Sequence, residues 1–321
     1  AFVGYNTGYS ANTTSGSVFI GKQAGYLSTG NNNVIVGIDS ETGTGVGNVV
    51  VGGLNETIGN TNVLVGYQTD LTTSGATVSG FHTIVGSLIR LNSSSTFTDT
   101  TIVGKSAGDS GSVIRSVLMG HEAGKGATSK DSVLIGYQVN GVGGSVTNSV
   151  FVGHKVNYGG TASASTIIGA YAGYHSEGTS NTYIGQSAGM SYDQNSGVAQ
   201  TGNNNVAVGA SAGYHLTTSS NNVLVGASTG YAITTESNNT FIGYEAGRTN
   251  TGSGNVFIGY EAGENSTATD AISIGRNANG LAGTRSVGIG NYASAQGVDS
   301  VVVGRGTANG FGAIAIGYSA N

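Results

Sequence analysis

The chain has 321 residues, with 58 Gly, no Pro, Cys or Trp, 8% charged residues and a formal net charge of −5. Ordinary globular domains carry about a quarter charged residues and about 5% Pro, so this composition argues against an ordinary enzyme domain. With 11 Lys and Arg residues in total, the composition also argues against a basic nucleic-acid-binding protein. The lack of Cys excludes disulfide scaffolds and thiolate metal sites.

One phrase recurs along the whole chain: a polar residue, three mostly apolar residues and a Gly, which we call the anchor. Self-similarity of this kind indicates a repeat architecture. No stretch falls outside the repeat, so residues 1–321 are predicted to form a single repeat domain, with longer-period coils over 1–264 and shorter ones over 265–321. The 20 anchors, spaced 13–24 residues apart, are Gly4, Gly21, Gly37, Gly52, Gly66, Gly86, Gly104, Gly120, Gly136, Gly153, Gly169, Gly185, Gly209, Gly226, Gly243, Gly259, Gly275, Gly290, Gly304 and Gly317.

Each copy predicts a strand of four or five residues before its anchor. The residue directly before the anchor is always apolar, and the residue three before it is Val, Ile, Thr or Ala. Such β-branched residues favour strands, and Gly permits the positive φ of a following turn. Ala stands three after the anchor in 11 copies, where it is predicted to fill a narrow interior. The pattern therefore predicts an all-β protein, a parallel β-solenoid of about 20 coils.

Four residues before the anchor, 16 of 19 copies have Asn, Ser or Thr, as at Asn33 and Asn205. In stacked coils such residues are predicted to form a polar ladder. The Asn clusters at 31–33 and 203–205 are typical of turns, because Asn tolerates the left-handed region of φ.

Successive side chains along a strand point to opposite faces, and the three residues before each anchor are mostly apolar. Both faces of each predicted strand are therefore apolar. We assign the positions one and three before the anchor to the coil interior, which directs the position two before it outward. This outward row would expose roughly 1,000 Å², more than the few hundred Å² usual on a soluble monomer. Identical chains packed around a shared axis would cover it. The candidates for that axis are Phe19, Ile35, Leu64, Leu118, Leu134, Phe151, Ile167, Leu224, Phe241 and Phe257.

The last copies resemble a known family. The segments Ala-Ile-Ala-Ile-Gly-Tyr-Ser-Ala at 313–320 and Ser-Val-Gly-Ile-Gly-Asn-Tyr-Ala-Ser-Ala at 286–295 resemble the head repeats of YadA-type trimeric adhesins. Earlier copies are similar to a longer variant found in phage and viral tail fibres. The resemblance is close over 265–321 and loose over 1–264. It implies a homotrimer of left-handed β-rolls used for attachment, although the longer period and the bulky row two before the anchor depart from the family.

Two features are candidate receptor contacts. Tyr174, Tyr214 and Tyr231 each lie five residues after an anchor, and exposed aromatics beside Asn and Ser suit glycan or protein contacts. The alternative is tyrosine stacking that stabilises the coil edge. The 24-residue step contains an insertion with Tyr192, Asp193 and Gln194. Binding residues concentrate on such loops, although a neutral insertion is the alternative.

Catalytic and metal-binding patterns are weak. His121 and His154 both follow an anchor, but two coils separate them, which predicts about 10 Å between them, too far for one metal ion. Glu245 and Glu261 share a register on adjacent coils, and a repeated position explains them better than paired catalytic carboxylates. We expect no enzyme activity, no cofactor and no metal.

The sequence thus predicts a structural or adhesive fibre segment that attaches to a host cell or surface. We expect it to be extracellular, in a cell-surface appendage or a virion fibre, and to be part of a longer fibre. Its partners would be itself, as a homotrimer, and a host-surface glycan or protein, with no nucleic acid and no membrane within this segment. The alternatives are a passive spacer and, more remotely, an ice-binding solenoid, which needs a regular Thr-rich column.

Overall fold

The computed structural model describes residues 1–11, 14–56, 59–72, 77–141, 144–190, 199–279 and 283–321. Its regular elements over these ranges are all β-strands, and they form a parallel β-solenoid of about 18 turns, which confirms the predicted fold. No helix capable of crossing a lipid bilayer occurs within these ranges. The chain divides into two compact units, Ala1–Gly159 and Gly160–Asn321, so the change of period at 264/265 falls inside the second unit.

The first unit contains one parallel ladder of strands before the anchors, in the order β1-β2-β3-β4-β5-β6-β7-β9-β11-β13. A second parallel ladder runs from the first halves of β6 and β7 through β8, β10 and β12. The strands are β1 Phe2–Val3, β2 Val18–Ile20, β3 Val34–Val36, β4 Val49–Gly53, β5 Val63–Asp70, β6 Thr77–Arg90, β7 Thr96–Val103, β8 Ser112–Ile114, β9 Val117–Met119, β10 Thr128–Lys130, β11 Val133–Ile135, β12 Ser145–Thr147 and β13 Val150–Val152.

The second unit repeats this arrangement with one main ladder, β14-β15-β16-β17-β18-β19-β20-β21-β23-β25, and a small second pair, β22–β24. Most strands have three residues, shorter than predicted. They are β14 Thr166–Ile168, β15 Thr182–Ile184, β16 Val206–Val208, β17 Val223–Val225, β18 Thr240–Ile242, β19 Val256–Ile258, β20 Ile272–Ile274, β21 Val287–Ile289, β22 Ser294–Ala295, β23 Val301–Arg305, β24 Thr307–Ala308 and β25 Ile314–Tyr318.

The anchors are glycines for two physical reasons. At Gly243 the backbone has a φ of +135°, a region that side chains rarely adopt. A Cβ on Gly243 would also lie 2.3 Å from the carbonyl oxygen of Gly259 on the next coil. The anchor therefore permits both the turn and the close stacking of coils, as the sequence predicted for the turn.

The predicted assignment of the two strand faces is wrong. In β19, the middle residue Phe257 is fully buried, whereas Val256 and Ile258 on either side are half-exposed. The row two before the anchor therefore fills the interior of its own coil and does not face outward. The same correction applies to all the residues predicted to line a shared axis, each with no exposed surface in the single chain: Phe19, Ile35, Leu64, Leu118, Leu134, Phe151, Ile167, Leu224, Phe241 and Phe257.

The interior accepts these bulky side chains because the opposite side of the coil is small. Ala262, three after its anchor, is fully buried, as predicted. A Cβ on the next residue, Gly263, would lie 2.3 Å from the Phe257 ring. The rings of Phe241 and Phe257 stack at 4.8 Å between centroids. Large side chains on one side of each coil thus face small residues on the other side, which keeps the interior close-packed.

The predicted polar ladder is confirmed. In the second unit, the backbone N–H groups of Asn222, Asn239 and Asn255 each donate to the side-chain oxygen of the preceding ladder Asn, at 3.0, 2.9 and 2.9 Å. These side chains are fully buried, so the bonds satisfy groups that could not reach water. The Asn clusters also turn as expected, with a φ of +59° at Asn32 and +58° at Asn204.

The shorter coils at the end of the second unit have a smaller interior. Their row two before the anchor includes Ser273 and Gly288, and a cluster of small residues fills the space. Fewer residues per coil enclose less volume, so smaller side chains suffice. The cluster consists of Ala278, Ala293, Ala295, Val302, Ala308 and Ala315.

Candidate binding surface

The outer face of the ladder that precedes the anchors is mostly apolar in each unit. The residues one and three before the anchor point outward, and many keep more than a third of their surface exposed: Val63 and Val65 37% each, Val51 38%, and Ile242 39%. In each unit they form two parallel columns, which we call the outer columns. Sequence analysis placed these residues in the interior. The signal that would have found them is the row of Phe and Tyr at the position between them.

The tyrosine columns stack along the coils. Tyr214 and Tyr231 lie 4.8 Å apart with their rings 4° from parallel, and the guanidinium of Arg248 lies 5.8 Å from the Tyr231 centroid. His215 contacts both rings edge-on, at 4.8 and 5.2 Å. The ring faces within the stack are therefore covered, and edges and hydroxyls meet the solvent. A sugar that packs on a ring face gains little here, so the geometry favours the stabilising alternative.

Tyr174 sits in a different arrangement. Its ring meets His175 edge-on at 4.7 Å and Tyr171 in a tilted contact at 6.3 Å. The structure thus groups three rings here, two of which sequence reasoning did not single out. The proposed receptor loop of Tyr192, Asp193 and Gln194 lies outside the described residues, so it stays a prediction.

The column directly after the anchor matches its predicted spacing. Tyr137 lies between His121 and His154, with centroid distances of 5.4 and 5.2 Å. The two histidines are consequently about two coil spacings apart, as expected. Within the described ranges, no group of three His, Cys, Asp or Glu side chains is arranged to hold a metal ion.

The paired glutamates have partners. Arg248 lies 4.0 Å from both Glu245 and Glu264, and the Asn277 side chain donates to Glu261 at 2.7 Å. Hydrogen bonding to Glu245 raises the pKa of Tyr244, and Glu261 does the same for Tyr260. Two of these contacts, Arg248–Glu264 and Asn277–Glu261, join successive coils, so these carboxylates stabilise the stacking of the coils.

One buried histidine interrupts the polar ladder of the first unit. His82 occupies the ladder position, with its Nδ1 3.0 Å from the Thr100 hydroxyl oxygen and its Nε2 buried without a hydrogen bond. Burial lowers the pKa of His82, which Asp99 offsets in part. The folded chain therefore binds the proton less readily than the unfolded chain, whose His titrates near the ordinary 6.5.

Acidification should destabilise the first unit through His82. Below about pH 6.5 His82 takes up a proton in the unfolded state but binds it less readily in the folded state. The free energy of unfolding therefore falls as pH falls. We expect His82→Asn, which restores the common ladder residue, to flatten this dependence. The measurement is the urea midpoint at pH 7.5 and 5.5. The exposed His175→Asn is the control and should keep the native slope; equal slopes in both variants would contradict the assignment.

The chain matches no protein-family model, and no curated protein matches it.

Proposed function

We propose that the chain is a segment of an extracellular adhesive fibre that assembles as a homotrimer of left-handed β-rolls. The observation that supports this most strongly is the pair of outer columns. Residues such as Ile242 expose on the order of 60 Å² each, and each outer column has about ten such residues in a unit. Their summed exposed area exceeds the few hundred Å² of the largest apolar patch on a usual monomer. Such a face is mostly aliphatic and periodic. It fits a second copy of itself, because equal coil spacing keeps both columns in register.

The resemblance of segments 286–295 and 313–320 to YadA-type head repeats supports a trimer and a left-handed course of the solenoid. It also supports attachment to a host cell or another surface as the role. The orientation of the strand faces also supports the proposed assembly. The bulky row that departs from the family is enclosed within each coil, so it does not crowd a shared axis.

The solution mass tests the assembly. Light scattering of residues 1–321 should give about three times 31.8 kDa. The double variant Ile242→Ser and Ile258→Ser should lower this mass, because it removes four outer methyl-bearing branches per chain from the buried face. Tyr244→Ser, which truncates a 47% exposed residue outside the outer columns, is the control. A native mass near 31.8 kDa, or a double variant with the native mass, would overturn the trimer.

A passive spacer is the second candidate, and the covered faces of the tyrosine stacks favour it. The two roles differ on whether this segment itself holds the receptor. Deletion of residues 239–270 removes two whole coils and rejoins the polar ladder at Ala271, whose backbone N–H already donates a ladder hydrogen bond to the side-chain oxygen of Asn255. If this segment is a spacer, the labelled parent fibre should be shorter but keep full attachment to cells after the deletion, whereas an adhesive segment that uses these coils would lose it.

A further inference from the structure

An open groove crosses three coils of the first unit. It is lined by Ile38, Gly53, Leu54, Tyr67 and Asp39 and encloses about 490 Å³. Its side chains are apolar and exposed: Ile38 54%, Tyr67 52% and Leu54 40%. These positions, one and two after the anchor, lie off the outer columns, so the proposed self-assembly does not account for their exposure.

The groove arises from a missing side chain. Gly53 stands between Ile38 and Tyr67 in the column that follows the anchor. A Cβ on Gly53 would lie 3.4 Å from the Tyr67 ring and 3.5 Å from the Ile38 carbonyl oxygen, which are ordinary contacts. Neither backbone strain nor crowding demands glycine here. The position is thus open for a reason other than the stacking that fixes the anchors.

Leu54 is exposed and apolar, unlike the residues at this register in most other coils. Its φ is +53°, the left-handed turn conformation that this register has in nearly every coil, and Leu88 adopts it as well with a φ of +57°. The same register holds polar residues elsewhere, such as Gln23, Glu122 and Gln138. An exposed leucine in this conformation contributes little to the stability of the coil, but it extends the apolar wall of the groove.

The rim of the groove is acidic. Asp39 Oδ1 is buried and has no hydrogen-bond donor among the described residues. Beside it, Glu41, Glu56 and Asp70 pair across successive coils, which spaces their backbones by about 5 Å. The Thr72 hydroxyl lies 2.9 Å from Glu56 Oε2 and 2.7 Å from Asp70 Oδ1.

Little positive charge balances these carboxylates. The sequence has no Lys or Arg between Lys22 and Arg90. Arg90 lines the adjoining recess with Leu54 and Glu56, but its guanidinium is 3.5 Å from Asp109 on the other side. Burial raises the pKa of Glu41, and the charges of Glu56 and Asp39 raise it further. A cation brought to this rim would relieve that repulsion.

We propose that this groove binds a segment of a partner protein that carries an apolar side chain next to Lys or Arg. The apolar walls would take the aliphatic side chain, and Asp39 and Glu41 would take the charge. A peptide fits better than a small molecule, because small ligands need pockets that enclose most of their surface and this groove is open along its length. Three coils span about 10 Å, the reach of an extended tripeptide.

The inference goes beyond the proposed assembly, because a single chain carries every residue of the groove. Binding and solution mass can therefore fail separately. The test uses the fluorescein-labelled pentapeptide Lys-Leu-Lys-Leu-Lys and follows its anisotropy on titration with the 321-residue chain. The pentapeptides Lys-Gly-Lys-Gly-Lys and Glu-Leu-Glu-Leu-Glu, which lack the apolar side chains and the positive charge, serve as comparisons.

We expect saturable binding of the Leu/Lys peptide that weakens with salt, and at least tenfold weaker binding of both comparison peptides. Gly53→Val, which fills the groove, should weaken binding at least tenfold. Asp39→Asn should weaken it at least threefold and still fit the left-handed backbone. Ala210→Val introduces the same side chain at the same register in the second unit and should change nothing. Unchanged thermal unfolding shows that each variant is folded.

Three results would overturn the proposal. One is the absence of saturable binding by the native chain. Another is equal binding of the Leu/Lys peptide by native chain and Gly53→Val, which would place the contact elsewhere. The third is a change of solution mass in Gly53→Val, which would make the groove a contact between copies of this chain.

Discussion

Replacing Phe257 with Ala is expected to lower the free energy of unfolding of the second unit by about 3–5 kcal/mol. The side chain is fully buried, stacks 4.8 Å from Phe241 and faces Gly263, so its removal leaves a cavity that the small residues opposite cannot fill. Because each coil contacts only its neighbours, the loss should be greatest near β19. Urea titration, with hydrogen exchange of the β18 and β19 amides, would measure it.

Ile258→Ala is the matched control for this experiment. Ile258 follows Phe257 but points to the outer face, where it is half-exposed. At a dilution where the native chain is monomeric, its truncation should cost about 1 kcal/mol or less. If Ile258→Ala destabilised the chain as strongly as Phe257→Ala, the burial of the middle row would be wrong and the face assignment predicted from sequence would return.

Replacing the anchor Gly243 with Ala should lower the free energy of unfolding by about 3 kcal/mol or more. Two effects add here: the φ of +135° strains any side chain, and the new Cβ would sit 2.3 Å from the Gly259 carbonyl oxygen. The backbone of the next coil cannot yield as a flexible side chain would, so the coils must separate locally. Thermal unfolding monitored by circular dichroism would detect the loss.

Gly317→Ala separates the two effects in the same 321-residue chain. Gly317 is also an anchor, with a φ of +119°, but a Cβ there meets nothing within 4 Å. It should therefore show backbone strain without the collision, and a smaller loss than Gly243→Ala. Equal losses at the two sites would mean that close coil stacking is not what requires glycine.

Features that repeat within one coil could be predicted from the sequence. The strand before each anchor, the turn at the anchor, the ladder through Asn222 and Asn239, and the interior place of Ala262 all follow from residue types at fixed spacing. Each depends on local backbone preferences or on identical neighbours above and below. Stacked coils bring like residues together whatever the remaining structure does.

The orientation of the strand did not follow, because both of its faces are apolar. Alternation separates Phe257 from Val256 and Ile258 but does not say which side is inside. Side-chain volume decides which face is inside, because the largest side chains need the space that Ala262 and Gly263 leave across the coil. Exposed area could not distinguish the two faces, since either the middle row or the outer columns would form an exposed apolar stripe.

The groove was missed for a different reason. Ile38, Leu54 and Tyr67 come from three coils and two registers, and none of them is distinctive in its own copy. Only their lateral placement around Gly53 makes a recess. The one signal that the sequence offered is the long interval from Lys22 to Arg90 that contains acidic residues but no basic ones. Of the tyrosines that the sequence did indicate, Tyr214 and Tyr231 are stacked and cover each other's facing ring faces.

The stacking of near-identical copies has a consequence for how such a protein changes over generations. Segments 239–247 and 255–263 differ only at their second residue, Thr240 against Val256, and their Phe and Tyr rings stack on one another in register. A duplicated or lost copy therefore meets the same ladder, the same interior and the same outer columns as before. Length can thus be inherited in whole-coil steps of about 4.8 Å. Insertion of a single residue within a strand has no such freedom, because it exchanges the two faces.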